Sequence, residues 1–590
     1  MPMQRSKIET PTAVAALVAA LVAASAASAQ QAATPTADQL AEVVVTGSRI
    51  KGASDSGAIA VSVIGAEQLE AFGKSSTGEI LENLAQAGSF EINPAADGPN
   101  DARGDIATVN LRGLGTGNTL VLLNGRRIAA HAVNQDIGST PRQVTNVNAF
   151  PSSGIDRVEV LRDGASALYG ADATAGVVNT ILDAEFSRPV LTARFSELEG
   201  TGSSERSLDF SAGTSFNGDR SRVKFSASAY DRKGLFSSEL GLQFQFVDKR
   251  AFLGNSPFAT ATTDFRNTST ASPFGQYQVG SINAQNVWVG QRVRIGTTSV
   301  TSSTGVFHIQ PCGFTGTLAQ LGTRPGGCMG IDDGSLDAGL RYDFNVNQPN
   351  NSLNEGVNIT NDELTSRGRQ MISDARRYNA YLIGEHDISD DLQAFGEVLY
   401  YRATTDSNRA AQPADSGLAF LVIPRTNYWN PFGPVGSPNR LPGLSTTDVP
   451  AAGRDVLVST WRPTELGPRL IATETETYRL IAGLRGERGG WDWEGAFGVS
   501  GNETTDSEGN RISKTLLQQQ LALNTPDAIN PFGGPNANTA AQWDKARISS
   551  TNTGETSLYT GDLRASNSAA FSNWAGDIGV AAGLEWRHED

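Results

Sequence analysis

Side chains able to do covalent or metal chemistry are scarce, since the 590-residue chain holds four histidines and two cysteines. No Ser/His/Asp order, metal-ligand cluster or activated nucleophile stands out, so no enzyme activity, metal or cofactor is expected. Cys312 and Cys328 bracket a Gly/Pro-rich stretch. In an oxidising compartment the expected outcome is a disulfide pinning that loop, with free thiols or a metal pair as the alternatives. Arg112 and Arg162 each close an apolar run with a glycine close behind. Their planar guanidinium groups suit bidentate capture of carboxylates, here or in ordinary surface salt bridges. Pro-Phe recurs at 257–258, 273–274, 431–432 and 531–532. Tyr428, Trp429, Phe432 and Phe532 could form an aromatic rim for an organic ligand, with Asn430 and Asn530 hydrogen-bonding to it. Equally, Pro could fix a turn and Phe pack the loop on itself. Gly113, Gly115 and Gly117 resemble a phosphate cradle, but a strand rather than a helix follows, which argues against a nucleotide site.

These residues need a carrier, and the N-terminus says where it goes. Arg5 and Lys7 precede an unbroken apolar run, Ala13 to Ala24, and then Ala27-Ser28-Ala29. This is the pattern of a cleaved export signal over 1–29, shorter than the roughly 20 apolar residues of a membrane anchor. No later stretch approaches spanning length, so membrane residence would require a barrel. The net charge of −15 argues against nucleic acid as a partner.

Residues 30–55 read as a small, polar, flexible lead carrying one β-branched segment, Glu42-Val43-Val44-Val45-Thr46-Gly47. Residues 56–187 read as a compact α+β unit. It has a strand at Val61–Ile64, helices around Glu67–Phe72 and Thr77–Leu84, and strands at Thr108–Arg112, Thr119–Leu123 and Ile155–Leu161, with a turn at Asn124-Gly125.

From 188 to 590 the pattern alternates with period 2, as in Val223, Phe225, Ala227 and Ala229 against Arg222, Lys224, Ser226 and Ser228. Tight turns near 217–219, 389–391, 487–490 and 571–574 alternate with long connections across about 231–377, 403–470 and 500–554. Short turns on one side and long loops on the other are the pattern of a transmembrane antiparallel β-barrel. A soluble β-sandwich would spread its loops over both ends. Trp491 and Trp574, beside short turns, suit the aromatic girdle at the periplasmic interface. About nine strands are countable, an odd number, and the chain ends at Trp586-Arg587-His588-Glu589-Asp590 without a closing aromatic strand. An incomplete barrel, a fragment, is therefore expected.

Three motifs carry a family resemblance. Val109-Asn110-Leu111-Arg112-Gly113-Leu114-Gly115, with Leu120-Val121-Leu122-Leu123-Asn124-Gly125-Arg126-Arg127, resembles the central plug motif of TonB-dependent receptors. Ile155 to Gly170, with Ala175-Gly176-Val177-Val178-Asn179, resembles their terminal plug motif, and Glu42 to Gly47 is similar to their energy-coupling box. The resemblance implies an outer-membrane active transporter with a 22-stranded barrel, a TonB-type partner that binds residues 42–47, and a small-molecule or metal-chelate ligand. An iron-siderophore is the commonest cargo of the family. It also implies that Arg112 and Arg162 lock the plug to glutamates on the barrel wall, for which strand parity nominates Glu397 and Glu494. An outer-membrane adhesion or binding protein that has lost transport is the competing reading.

Overall fold

The computed structural model describes residues 46, 61–84, 104–133, 135–137, 140–182, 189–240, 275–310, 323–324, 327–331, 370–417, 419–534, 537–574 and 576–590. Unbroken apolar runs make the central strands of the plug. Thr119–Leu123 (β2) is buried at every position, and Gly176–Leu182 (β4) at all but one. Strands covered on both faces need no alternation, and these two run parallel. With Val61–Gly65 (β1) and Ile155–Leu161 (β3) they form a sheet in the order β1-β3-β4-β2. Helices Ala66–Ala71 (α1) and Thr77–Glu82 (α2) lay Leu69, Ile80 and Leu81 into a core with Val121, Val158 and Val178. Ser76 caps α2 by accepting a hydrogen bond from the Glu79 amide at 3.2 Å.

Of the expected strand at Thr108–Arg112 only Leu111 makes a single β-bridge. Thr108 to Leu111 are buried, and side chains take up amides that a full strand partner would pair. The Ala107 amide donates to Asn146 Oδ1 at 3.1 Å and the Leu111 amide to Thr119 Oγ1 at 3.0 Å. Arg112, at φ 58°, then turns the chain out of the extended conformation.

Around the plug stands a wall of nine antiparallel strands paired in chain order. They are Val190–Glu197 (β5), Ser204–Phe216 (β6), Ser221–Lys233 (β7), Asp374–Ser389 (β8), Leu392–Arg409 (β9), Arg469–Arg488 (β10), Trp491–Ile512 (β11), Arg547–Asn573 (β12) and Gly576–Glu589 (β13). Their burial is inverted relative to a soluble sheet. Tyr378, Leu382, Val398, Tyr478, Leu480, Phe497 and Leu563 are exposed on one face, while Lys224, Ser226, Asn379, Glu397, Thr475, Arg479 and Asn502 are buried on the other. Apolar-out and polar-in is what lipid outside and a polar lumen inside require. Trp491 and Trp574 lie exposed at the tight turns. Among the described residues β5 and β13 each pair on one side only, so the sheet is not closed.

The long connections fold into a structure of their own, a cap. Gln276–Ile282 pairs with Val306–Gln310 on one side and Asp455–Trp461 on the other, within an eight-stranded sheet. Its core draws Tyr277 and Phe307 from one loop, Phe432 and Trp461 from the next, and Phe532 and Trp543 from the third. Helix Lys514–Leu521 (α3) adds Leu517 and Leu521 to it. Cys312 lies outside the described residues and only the backbone of Cys328 lies within them, so the expected disulfide falls outside what is described.

Candidate functional site

The plug meets the wall through buried charged and polar groups, and their positions follow from local backbone geometry. Strand β2 ends at Asn124-Gly125, both at positive φ (50° and 72°), a tight turn that suits Asn-Gly. The turn sends Arg126 sideways into the wall. Its Nε donates to Asp562 Oδ2 at 3.0 Å and its Nη2 to Asp562 Oδ1 at 3.2 Å, and Nη2 also pairs with Glu494. Burial opposes the charge on Arg126, but the Glu494 and Asp562 carboxylates overcome this and hold the guanidinium protonated. Beside it, Asn124 Nδ2 donates to Tyr381 Oη at 2.8 Å and Glu397 Oε1 at 3.2 Å. Arg479 completes this group, donating to Glu397 Oε2 at 2.7 Å and to the Leu123 carbonyl at 3.0 Å.

Glu397 and Glu494, nominated by parity, thus do face the plug. The plug cation that meets one of them is Arg126, not Arg112 or Arg162. Arg112 is exposed and donates through Nη2 to the Ala175 carbonyl, 2.9 Å away within the plug. Arg162 is exposed and pairs with no wall carboxylate among the described residues. Strand-end position misled here, because Arg112 follows a segment outside the sheet and turns back to the plug, and Arg162 is exposed. The available signal was a cation directly behind an Asn-Gly turn.

A second charged corner lies at the start of the extended segment. The Asp105 carboxylate pairs with Arg377 Nε and accepts from Arg377 Nη2 at 2.9 Å. Arg232 Nη2 approaches to 3.5 Å, and Tyr401 Oη donates from 3.4 Å. Farther along, His131 is buried against β11, its Nε2 3.4 Å from Thr504 Oγ1, and burial lowers its pKa to about 4. Where the plug faces β12, a cavity of about 390 Å³ is lined by Thr108, Thr116 and Leu120 of the plug and Thr556 and Leu558 of the strand.

Thr46 is the one described residue of the segment Glu42–Gly47. It is buried against the plug sheet, where its amide donates to Glu159 Oε2 at 2.7 Å, its hydroxyl pairs with the same oxygen, and Asn179 Nδ2 donates to Oγ1 at 3.0 Å.

Phe432 and Phe532 do not form a rim, because both rings are fully buried in the cap core, against Phe307 at 5.4 and 6.1 Å between centroids. Asn430 and Asn530 accept from the amides of Phe432 (2.8 Å) and Phe532 (3.0 Å), so each Asn-Pro-Phe is a side-chain-closed turn. Trp429 is half-buried and donates through Nε1 to the Ala528 carbonyl at 2.9 Å. Tyr428, also half-buried, packs edge-on against it.

Compared with known proteins, residues 54–177 match the family model of the TonB-dependent receptor plug domain. The vitamin B12 transporter BtuB of Photobacterium profundum is 30% identical over 139 residues, 24% of this chain and 20% of that protein. The ferrienterobactin receptor of Escherichia coli is 33% identical over 91 residues, 15% of this chain and 12% of that protein. The matched stretch thus spans a fifth or less of these relatives. Among solved structures, the ferric yersiniabactin uptake receptor FyuA from Yersinia pestis aligns with 90% of this chain and 61% of its own at 9% identity and a TM-score of 0.35. Residues 54–177 are thus similar to the plug domain of the TonB-dependent receptors, and they stand in an antiparallel wall whose outer side is apolar.

Proposed function

We propose that the protein takes up a scarce ligand into the periplasm, by rearrangement of the plug under energy from a TonB-type partner acting on Glu42–Gly47. Iron-siderophore is the cargo we favour, with a cobalamin as its rival, because the relatives sharing the plug are named for vitamin B12 and ferrienterobactin. The role is transport rather than catalysis. We further propose the division of the chain into an export signal (1–29), a lead (30–55), a plug (56–187) and a wall with its cap (188–590).

The observation that carries this reading is the way the plug is seated. Beyond the apolar patch it shares with β8 and β9, the plug is held by polar and charged contacts at discrete points, which can be exchanged for water or for a partner. Thr46 adds a second support, since this one described residue of the segment is held by hydrogen bonds, which a partner strand can replace.

Deletion of residues 42–47 tests the proposal. Expected is loss of energised uptake of a ferric siderophore or cobalamin, with binding of the same compound kept. Unchanged uptake would overturn the transport reading, and unchanged phenotypes throughout would favour an adhesion or binding protein.

A further inference from the structure

We propose that Asp105 is a second latch of reversed sign: a plug carboxylate gripped by the wall arginines Arg377 and Arg232, holding the 104–111 segment independently of Arg126. It uses the plug-and-wall arrangement, and its purpose rests on the transport reading above.

At the Arg126 corner the plug supplies the cation and the wall the acids, Glu494 on β11 and Asp562 on β12. At the Asp105 corner the wall supplies the cations, Arg232 on β7 and Arg377 on β8. The ion-pair partners of the two corners lie on different strands and different plug segments, while the Asn124 group beside Arg126 shares β8 and β9 with the Asp105 corner through Tyr381 and Glu397. Asp105 is fully buried, and the arginines nearly so, at 4% and 6% exposed. The Arg377 guanidinium lies over the Tyr230 ring, 4.2 Å from its centroid, which fixes its plane toward the carboxylate. Arg232 is held from behind by the Ser373 carbonyl at 3.1 Å. Glu79 of α2 and Glu205 of β6 also act on this group. Burial, and then the Glu205 charge, raise the Glu79 pKa, so Glu79 competes weakly for the arginines.

The backbone is shaped to deliver this one side chain. Gly104 and Asp105 are both left-handed, φ 80° and 58°, the latter a conformation that Asp tolerates better than most residues. A Cβ at Gly104 would meet His131 Nε2 and Thr473 Cγ2, each at 3.2 Å, so the turn is pressed against the wall. Asn148 Nδ2 donates to the Asp105 carbonyl at 2.8 Å and ties the turn to the plug core.

The corners also stand at different heights. On β9, Tyr401 touches Asp105 and Glu397 touches Asn124. The step between them is roughly 13 Å at about 3.3 Å per residue. A slip of the plug by that step would part Asp105 from Arg377 and Arg126 from Asp562, so the two corners together favour one seated position.

Hydrogen exchange on the purified full chain, without cargo or partner, tests this. Asp105→Asn keeps the shape and removes the charge. Expected is faster exchange at 104–111, on the order of a hundredfold, with 123–129 unchanged within about threefold. Arg377→Gln gives the same pattern, and the double variant is no faster than the faster single by more than about threefold. Arg126→Gln loosens 123–129 and spares 104–111. Unchanged exchange at 104–111 in Asp105→Asn overturns the latch, and multiplying effects in the double variant overturn the pairing. Equal loosening of both segments overturns their independence. Because no transport is measured, failure here and failure of the uptake experiment are separate results.

Discussion

The plug and the cap are both close-packed, yet they are attached to the wall in different ways. The cap is continuous with the wall strands, and its aromatic core gathers Tyr277, Phe432, Trp461 and Phe532 from three loops into one apolar cluster. The plug also shares an apolar cluster with β8 and β9, through Tyr381, Ile383, Leu399 and Tyr401, but its other anchor points are ionic or hydrogen-bonded. Apolar cores fail cooperatively, whereas a polar seat can be released contact by contact. On the proposed transport reading, the difference separates a part that stays from a part that moves.

The contrast can be attacked from both sides. Arg126→Met removes the cation that pairs with Glu494 and leaves the Asp562 carboxylate, 6% exposed, to Arg564. A loss of about 5 kcal/mol is expected, read by denaturant unfolding of the plug with the cap unaffected; an equal loss in the cap would break the distinction. Phe432→Ala should cost about 4 kcal/mol, read as exchange within the cap alone, with loosening of the plug counting against it. The third test is pH. In the seated plug burial holds His131 near pKa 4, below the 6.5 of a free histidine. The contribution is therefore complete above pH 6.5 and is lost as pH falls toward 4, because the released form takes up a proton that the seated form refuses. About 3 kcal/mol is expected over that window, and His131→Gln should flatten the profile. The smallest effect is that of Asn530→Ala, about 1 kcal/mol, confined to the turn before Phe532.

Much of the plug was legible in the sequence, because its strands carry their own signal. Ile155–Leu161 is a strand over the expected residues, and Asn124-Gly125 is the expected turn. The wall was legible from alternation and from the tight turns between its strand pairs. The Thr108–Arg112 segment misled because its composition suits a strand while side chains take the amides of Leu111 and of Ala107 just before it. The cap was invisible as a core because its strands are short and its aromatics lie far apart in sequence. Only the repeated Asn-Pro-Phe-Gly hinted at it, and the packing reading of that repeat agrees with the buried rings. Parity found Glu397 and Glu494, but the plug cation was missed, since its direction depends on how the turn meets β11 and β12.

The length of the wall strands has a consequence for the approach of cargo. β10 runs for 20 residues and β11 for 22, against the 9–11 that cross a bilayer. About ten residues of surplus at about 3.4 Å each, tilted by about 45°, raise the mouth by roughly 20–25 Å. That exceeds the screening distance of about 8–10 Å at physiological ionic strength. The charge of the headgroups below is therefore screened at the level of the cap.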